Sequence, residues 1–187
     1  LTLLLASVAF YGGLFVFPLY LSQVQHYDSM LIGFLLASQG IGALISRKYL
    51  TFITRHLGDK NAIIVFILLS CIGTFYFVLP AYLFNIYLSI LFMFMRGAGL
   101  GLVTILAMSS AYNGLEKSQL PDASVISRIL TQAGAALGTA GLAVILNTLI
   151  SKNTENLTLS YSSSFEWLLI LTLLCIIPAC GDRKSVV

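Results

Sequence analysis

Charge is the scarcest ingredient of this sequence. Of its 187 residues only 9% are Asp, Glu, Lys or Arg, while 58% are hydrophobic. A soluble domain carries about 25% charged residues to keep its surface hydrated, so a water-dissolved globule is excluded. A mean hydropathy of +0.96 agrees. Carboxylates are missing from every apolar run: Asp28, Asp59, Glu116, Asp122, Glu155, Glu166 and Asp182 fall in expected loops or at interfaces. His26 and His56 fall in loops too. Proton relays inside membranes use buried Asp, Glu or His, so if the parent protein is proton-driven its titrating carboxylate is expected elsewhere. There is no metal-ligand cluster, phosphate-binding glycine loop or nucleophile–base pair. No catalytic residue, metal or cofactor is expected, and the chain does not read as an enzyme. Cys71, Cys175 and Cys180 lie in or at the end of apolar segments. Reduced thiols are expected there rather than the exposed pairs of a disulfide framework.

What is present is a series of long apolar runs. A spanning helix needs about 20 apolar residues and a spanning strand about 10 in strict alternation. The runs are continuous, so an all-α polytopic bundle of about six transmembrane helices is expected. The spans read as residues 3–21, 30–53, 61–79, 83–112, 123–150 and 165–180. Polar or basic stretches separate them, and Pro80 divides the third span from the fourth because it cannot donate to a helix. Residues 151–164 read as a polar loop, with Glu166 at the interfacial end of the last span. The chain opens inside an apolar run without the basic flank of a signal peptide. An upstream part of a larger protein is therefore expected.

The net charge of +3 is a matter of placement. Cytoplasmic loops are enriched in Lys and Arg. With the start of the chain inside, that side collects Arg47, Lys48, Arg55, Lys60, Lys117, Arg128, Arg183 and Lys184, and the outside only Lys152. Both termini are expected in the cytoplasm and the chain in the plasma membrane, with the lipid bilayer rather than nucleic acid as its partner.

Arg96 carries the sharpest signal. It lies in mid-span, where a charge costs several kcal/mol and normally faces protein interior or a wet cavity. A substrate pathway past Arg96 is expected, with Gln39, Gln132, Tyr11 and Phe15 as further lining and Tyr20 adding aromatic surface. Gln39, Gln132 and Asn147 must find partners, since lipid offers none. Gly97, Gly99 and Gly101 allow close backbone approach on more than one face of the fourth span. Gly134, Gly138 and Gly141 recur at spacings that line one face of the fifth, flanked by Ala135 and Ala136.

Three stretches, in order, resemble the carboxy-terminal half of a major facilitator superfamily transporter. Thr54-Arg55-His56-Leu57-Gly58-Asp59-Lys60 is similar to that family's basic loop. Arg55, Gly58 and Lys60 match it, and Thr54 stands where an Asp is usual. Arg96-Gly97-Ala98-Gly99-Leu100-Gly101 is similar to the Arg- and Gly-bearing fourth helix of a family repeat. Gln132 to Gly138 resembles the small-residue stretch of the fifth, without the Gly-Pro of the antiporter motif. Phe17 to Gln23, Gly33 and Gly40-Ile41-Gly42 resemble the fourteen-span drug:proton antiporters. The resemblance implies a half-transporter that rocks against a missing amino-terminal half around a central cavity. It implies multidrug efflux by alternating access, with a small amphipathic substrate exchanged for protons. The alternatives are a metabolite transporter of the same superfamily and a truncated, non-transporting membrane module.

Overall fold

The computed structural model describes residues 1–79, 85–112, 115–116, 118–152 and 156–181. Pro80, Lys117, Glu155, Asp182, Arg183, Lys184, the start of the expected fourth span and the side chain of Cys180 lie outside the described residues. Most of the described residues are helical: α1 (Thr2–Gln23), α2 (Ser29–Phe75), a short 3-10 turn (Tyr76–Val78), α3 (Ile86–Tyr112), α4 (Leu120–Lys152), α5 (Leu157–Leu174) and α6 (Ile176–Gly181). Five described stretches are long and apolar enough to cross a bilayer, and the second runs over 50 residues, Ser29–Val78. This is an all-α, multi-pass membrane bundle, as the composition requires.

The 47-residue α2 is a hairpin, because Gly58 inside it leaves the helical region at φ 75 and ψ 156. That backbone conformation disfavours any residue with a Cβ. The two limbs pack on α3 in opposite senses. Gln39 meets Gly97 and Ala43 meets Gly101, so the first limb runs parallel to α3. Gly73 meets Arg96 while Ser70 and Phe66 meet Gly99, so the second limb runs against it. The expected basic loop of residues 55–60 is thus compressed to a turn at Gly58, with Arg55 and Lys60 exposed on either side.

A second seam joins α1 to α4. Gly134 faces Leu4 and Ser7, Gly138 faces Val8, and Leu142 faces Gly12. The pairing advances in register, so α1 and α4 are parallel. Apolar side chains gain nothing by leaving lipid for one another, so such seams depend on close backbone approach at small residues. Gly134 and Gly138 supply it. Gly141 does not, since nothing lies within 4 Å of where its Cβ would be. The seam continues four residues on, at Leu142, and Gly141 falls to one side of it. The expected three-glycine face is therefore a two-glycine face.

The last span also differs from expectation. Residues 157–164 are helical, so α5 begins eight residues before the expected start at Phe165. Ser160, Tyr161, Ser164, Phe165, Leu168 and Thr172 form its buried stripe. The hydroxyl of Ser160 donates to the Leu149 carbonyl at 3.0 Å and that of Ser164 to Ser160 at 2.9 Å. Serine composition mimics a loop, yet these hydroxyls satisfy themselves on helix carbonyls. Glu166 is consequently inside the helix rather than at its end, and it is exposed.

Candidate functional site

The core face of α3 presents Met93, Arg96, Gly97, Leu100 and Val103, a helical i, i+3, i+4, i+7 progression in which one member is charged. Arg96 has no exposed surface and is the largest of the fully buried side chains. Its guanidinium crosses to α1, where Nη2 donates to the Ala9 carbonyl at 2.8 Å. Its Cζ lies 4.8 Å from the centroid of the Phe17 ring, a cation–π contact worth about 2 kcal/mol when dry. Two glycines make the room. A Cβ at Gly13 would collide with Nη2, and one at Gly73 would stand 2.8 Å from the Arg96 Cβ. The described carboxylates Asp28, Asp59, Glu116, Asp122 and Glu166 are all exposed, so none accompanies the guanidinium in the interior.

The other residues singled out from sequence scatter around this centre. Gln39 is 2% exposed and packs through its backbone on Gly97. Tyr11 and Phe15 are half-buried on α1, while Gln132 and Asn147 are exposed on α4. Arg96 and Gln39 are therefore interior groups of this bundle as folded here, and Tyr11, Phe15 and Gln132 are the ones with surface to offer a ligand. Gly97 and Gly101 serve the first limb of α2, and Gly99 serves the second. α3 is held between them.

Beyond Phe17 the structure brings together an aromatic cluster that the sequence did not single out. Phe17 meets Phe77 edge-on at 4.7 Å and Phe165 at 5.0 Å. Tyr20 meets Phe165 at 5.1 Å and Tyr161 at 5.7 Å. The Tyr161 hydroxyl donates to Gln23 Oε1 at 2.8 Å, tying α5 to the end of α1. The spacing of Tyr161, Phe165 and Leu168 carried a helical signal that the serines between them obscured.

A cavity of about 880 Å³ opens at the end of the bundle that holds Gly58, lined among others by Leu57, Asp59, Lys60, Ser110, Asp122 and Ser127. A smaller one of about 300 Å³, between the limbs of α2 and α3, is lined by Ile45, Tyr49, Phe66 and Leu102 among others. Arg96 lines neither.

A membrane bundle with a hairpin of two spans, parallel first and fifth spans and a buried arginine on the fourth has a counterpart in sequence. Residues 1–139 match the sequence profile of the Major Facilitator Superfamily. The chain belongs to that superfamily. Major facilitator proteins are transporters rather than enzymes. Among curated relatives, the Multidrug resistance protein B homolog of Mycobacterium tuberculosis (strain ATCC 25618 / H37Rv) is 26% identical over 148 residues, 78% of this chain and 27% of the relative. The protein of the same description from strain CDC 1551 / Oshkosh is 27% identical over 148 residues, with the same shares of each chain. The match thus spans about a quarter of the relatives' length.

Proposed function

We propose that this chain is the carboxy-terminal six-helix bundle of a proton-coupled exporter of amphipathic drugs, working by alternating access in the plasma membrane. The observation that carries the reading is the superfamily match over residues 1–139, sharpened by the similarity to the mycobacterial multidrug resistance homologues. The substrate path runs along the uncovered side of α1 and α4, past Tyr11, Phe15 and Gln132. A half-apolar wall of this kind holds varied ligands without a fixed hydrogen-bond code. The missing amino-terminal half covers that side and supplies the titrating carboxylate. Arg96 acts from behind the path, by fixing α1 against α3. The basic ends at Arg47, Lys48, Arg55 and Lys60, against Lys152 at the other end, support cytoplasmic termini.

The test is export of a cationic dye such as ethidium from cells making the full-length protein. Collapsing the proton gradient with a protonophore is expected to stop export. Arg96→Ala is expected to slow it about tenfold at equal membrane abundance, the scale of one charge-assisted hydrogen bond. Export that survives loss of the gradient removes the proton-coupled reading. Unchanged rates in Arg96→Ala remove the role given to Arg96.

A further inference from the structure

The cavity of about 880 Å³ at the Gly58 end of the bundle takes no part in the path past Tyr11, Phe15 and Gln132, none of which lines it. It lies where the start of α1, the turn of α2, the end of α3 and the start of α4 converge. Its volume falls in the range of about 300–1,000 Å³ that holds a drug-sized ligand. Ile63, Ile126 and Leu130 contribute apolar wall, while Asp59 from the α2 turn and Asp122 from α4 bring two carboxylates to the same lining. Among the described lining residues Lys60 is the one basic side chain, so acidic groups are in excess.

A further polar group faces this space from a sheltered position. Ser127 lines the cavity and is 3% exposed. Its carbonyl accepts from the Thr131 hydroxyl at 2.8 Å, but its own hydroxyl meets no described protein group. A buried hydroxyl without a partner is costly, and a polar group of a ligand would meet it as donor or acceptor. The lining also selects the class of ligand. A bare metal ion needs a shell of oxygens and would leave the apolar walls unused. An anion would face two carboxylates against one ammonium. An organic cation with an apolar body and a polar substituent satisfies the walls, the carboxylates and the hydroxyl together.

We infer that this cavity binds an organic cation, held by Asp59 and Asp122 and hydrogen-bonded to Ser127. The choice of ligand rests on the export reading, in which the cavity is the port that collects substrate from the cytoplasm. Leu130 of its lining stands two residues before Gln132 of the path. The test is equilibrium binding of ethidium, a planar cation carrying amino groups, to the purified full-length protein in detergent, followed by fluorescence with no gradient present. Asp59→Asn and Asp122→Asn are each expected to raise Kd about fivefold, the scale of one solvent-exposed charge pair. Ser127→Ala is expected to raise it about as much, and Asp59→Glu and Asp122→Glu to bind as the unaltered protein does. No binding, or a Kd that neither carboxylate variant moves, overturns the site. So does tighter binding in Asp59→Asn or Asp122→Asn, which would mark an anion site at Lys60. Failure of the export reading is separable: a protein that binds ethidium through these carboxylates yet does not export it keeps the site and loses the exporter, whereas export with an unmoved Kd loses the site alone.

Discussion

At the scale of single residues, the bundle distinguishes glycines that are spaces from glycines that are only small. Gly13 is a space, because a Cβ there would meet the Arg96 guanidinium. Gly13→Ala is therefore expected to displace the arginine or the helix carrying it, at a cost of about 1–3 kcal/mol for overpacking. Gly141 has nothing within 4 Å of a Cβ, so Gly141→Ala is expected to leave the bundle as stable or to gain up to about 1 kcal/mol of helix propensity. Thermal unfolding of the two variants side by side checks the contrast, and equal melting temperatures would refute it. Sequence alone could single out Arg96, since charge in an apolar run stands out against any background. It could not say that the guanidinium turns inward to a main-chain carbonyl, because that depends on two glycines on other helices, Gly13 and Gly73. Gly134, Gly138 and Gly141 were read together for the same reason. Spacing defines a face of about the right width, and only the neighbouring helix decides which members of it are covered.

At the scale of elements, the turn at Gly58 and the start of α5 are the informative places. Gly58 is the described glycine with φ in the left-handed region. Gly58→Ala is expected to destabilise the hairpin by about 1–2 kcal/mol through that backbone alone, as its Cβ would meet nothing within 4 Å. A matched Gly40→Ala in the first limb also meets nothing, and it is expected to be neutral. The break between α1 and α2 and the turn within α2 fall where polar residues interrupt apolar runs. The start of α5 was not legible in this way. Its first two turns are rich in serine, and hydroxyls that bond helix carbonyls, Ser160 on α4 and Ser164 on α5 itself, make polar composition a poor marker of a loop. Hydrogen exchange distinguishes the two descriptions: the amides of Tyr161 to Ser164 are expected to be protected as strongly as those of Leu168, whereas a loop would exchange at once. Tyr161→Phe, which removes the bond to Gln23, is expected to lower stability by about 1 kcal/mol.

At the scale of the whole molecule, two helix pairs make up the bundle. α2 and α3 interlock through glycines on both, α1 and α4 run parallel along their own seam, and α5 seals one side through its aromatic and serine stripe. The alternation of directions puts Arg55 and Lys152 at opposite ends. An impermeant maleimide applied to intact cells is therefore expected to label Lys152→Cys and not Arg55→Cys. The reverse pattern would invert the orientation and the direction assigned to export. This scale was the most legible of the three in the sequence, because the solvent dictates it: too few charges exist to face water.

The strut between the two pairs ends on the Ala9 carbonyl, an atom supplied by the main chain and not by any side chain. Because Ala9 is fully buried, a residue there must stay small, but the acceptor itself depends on no side chain. The attachment is sensitive to where α1 lies. Sliding or rotating α1 would unhook it, so the bond works as a position gauge, reporting the placement of one helix to the other pair.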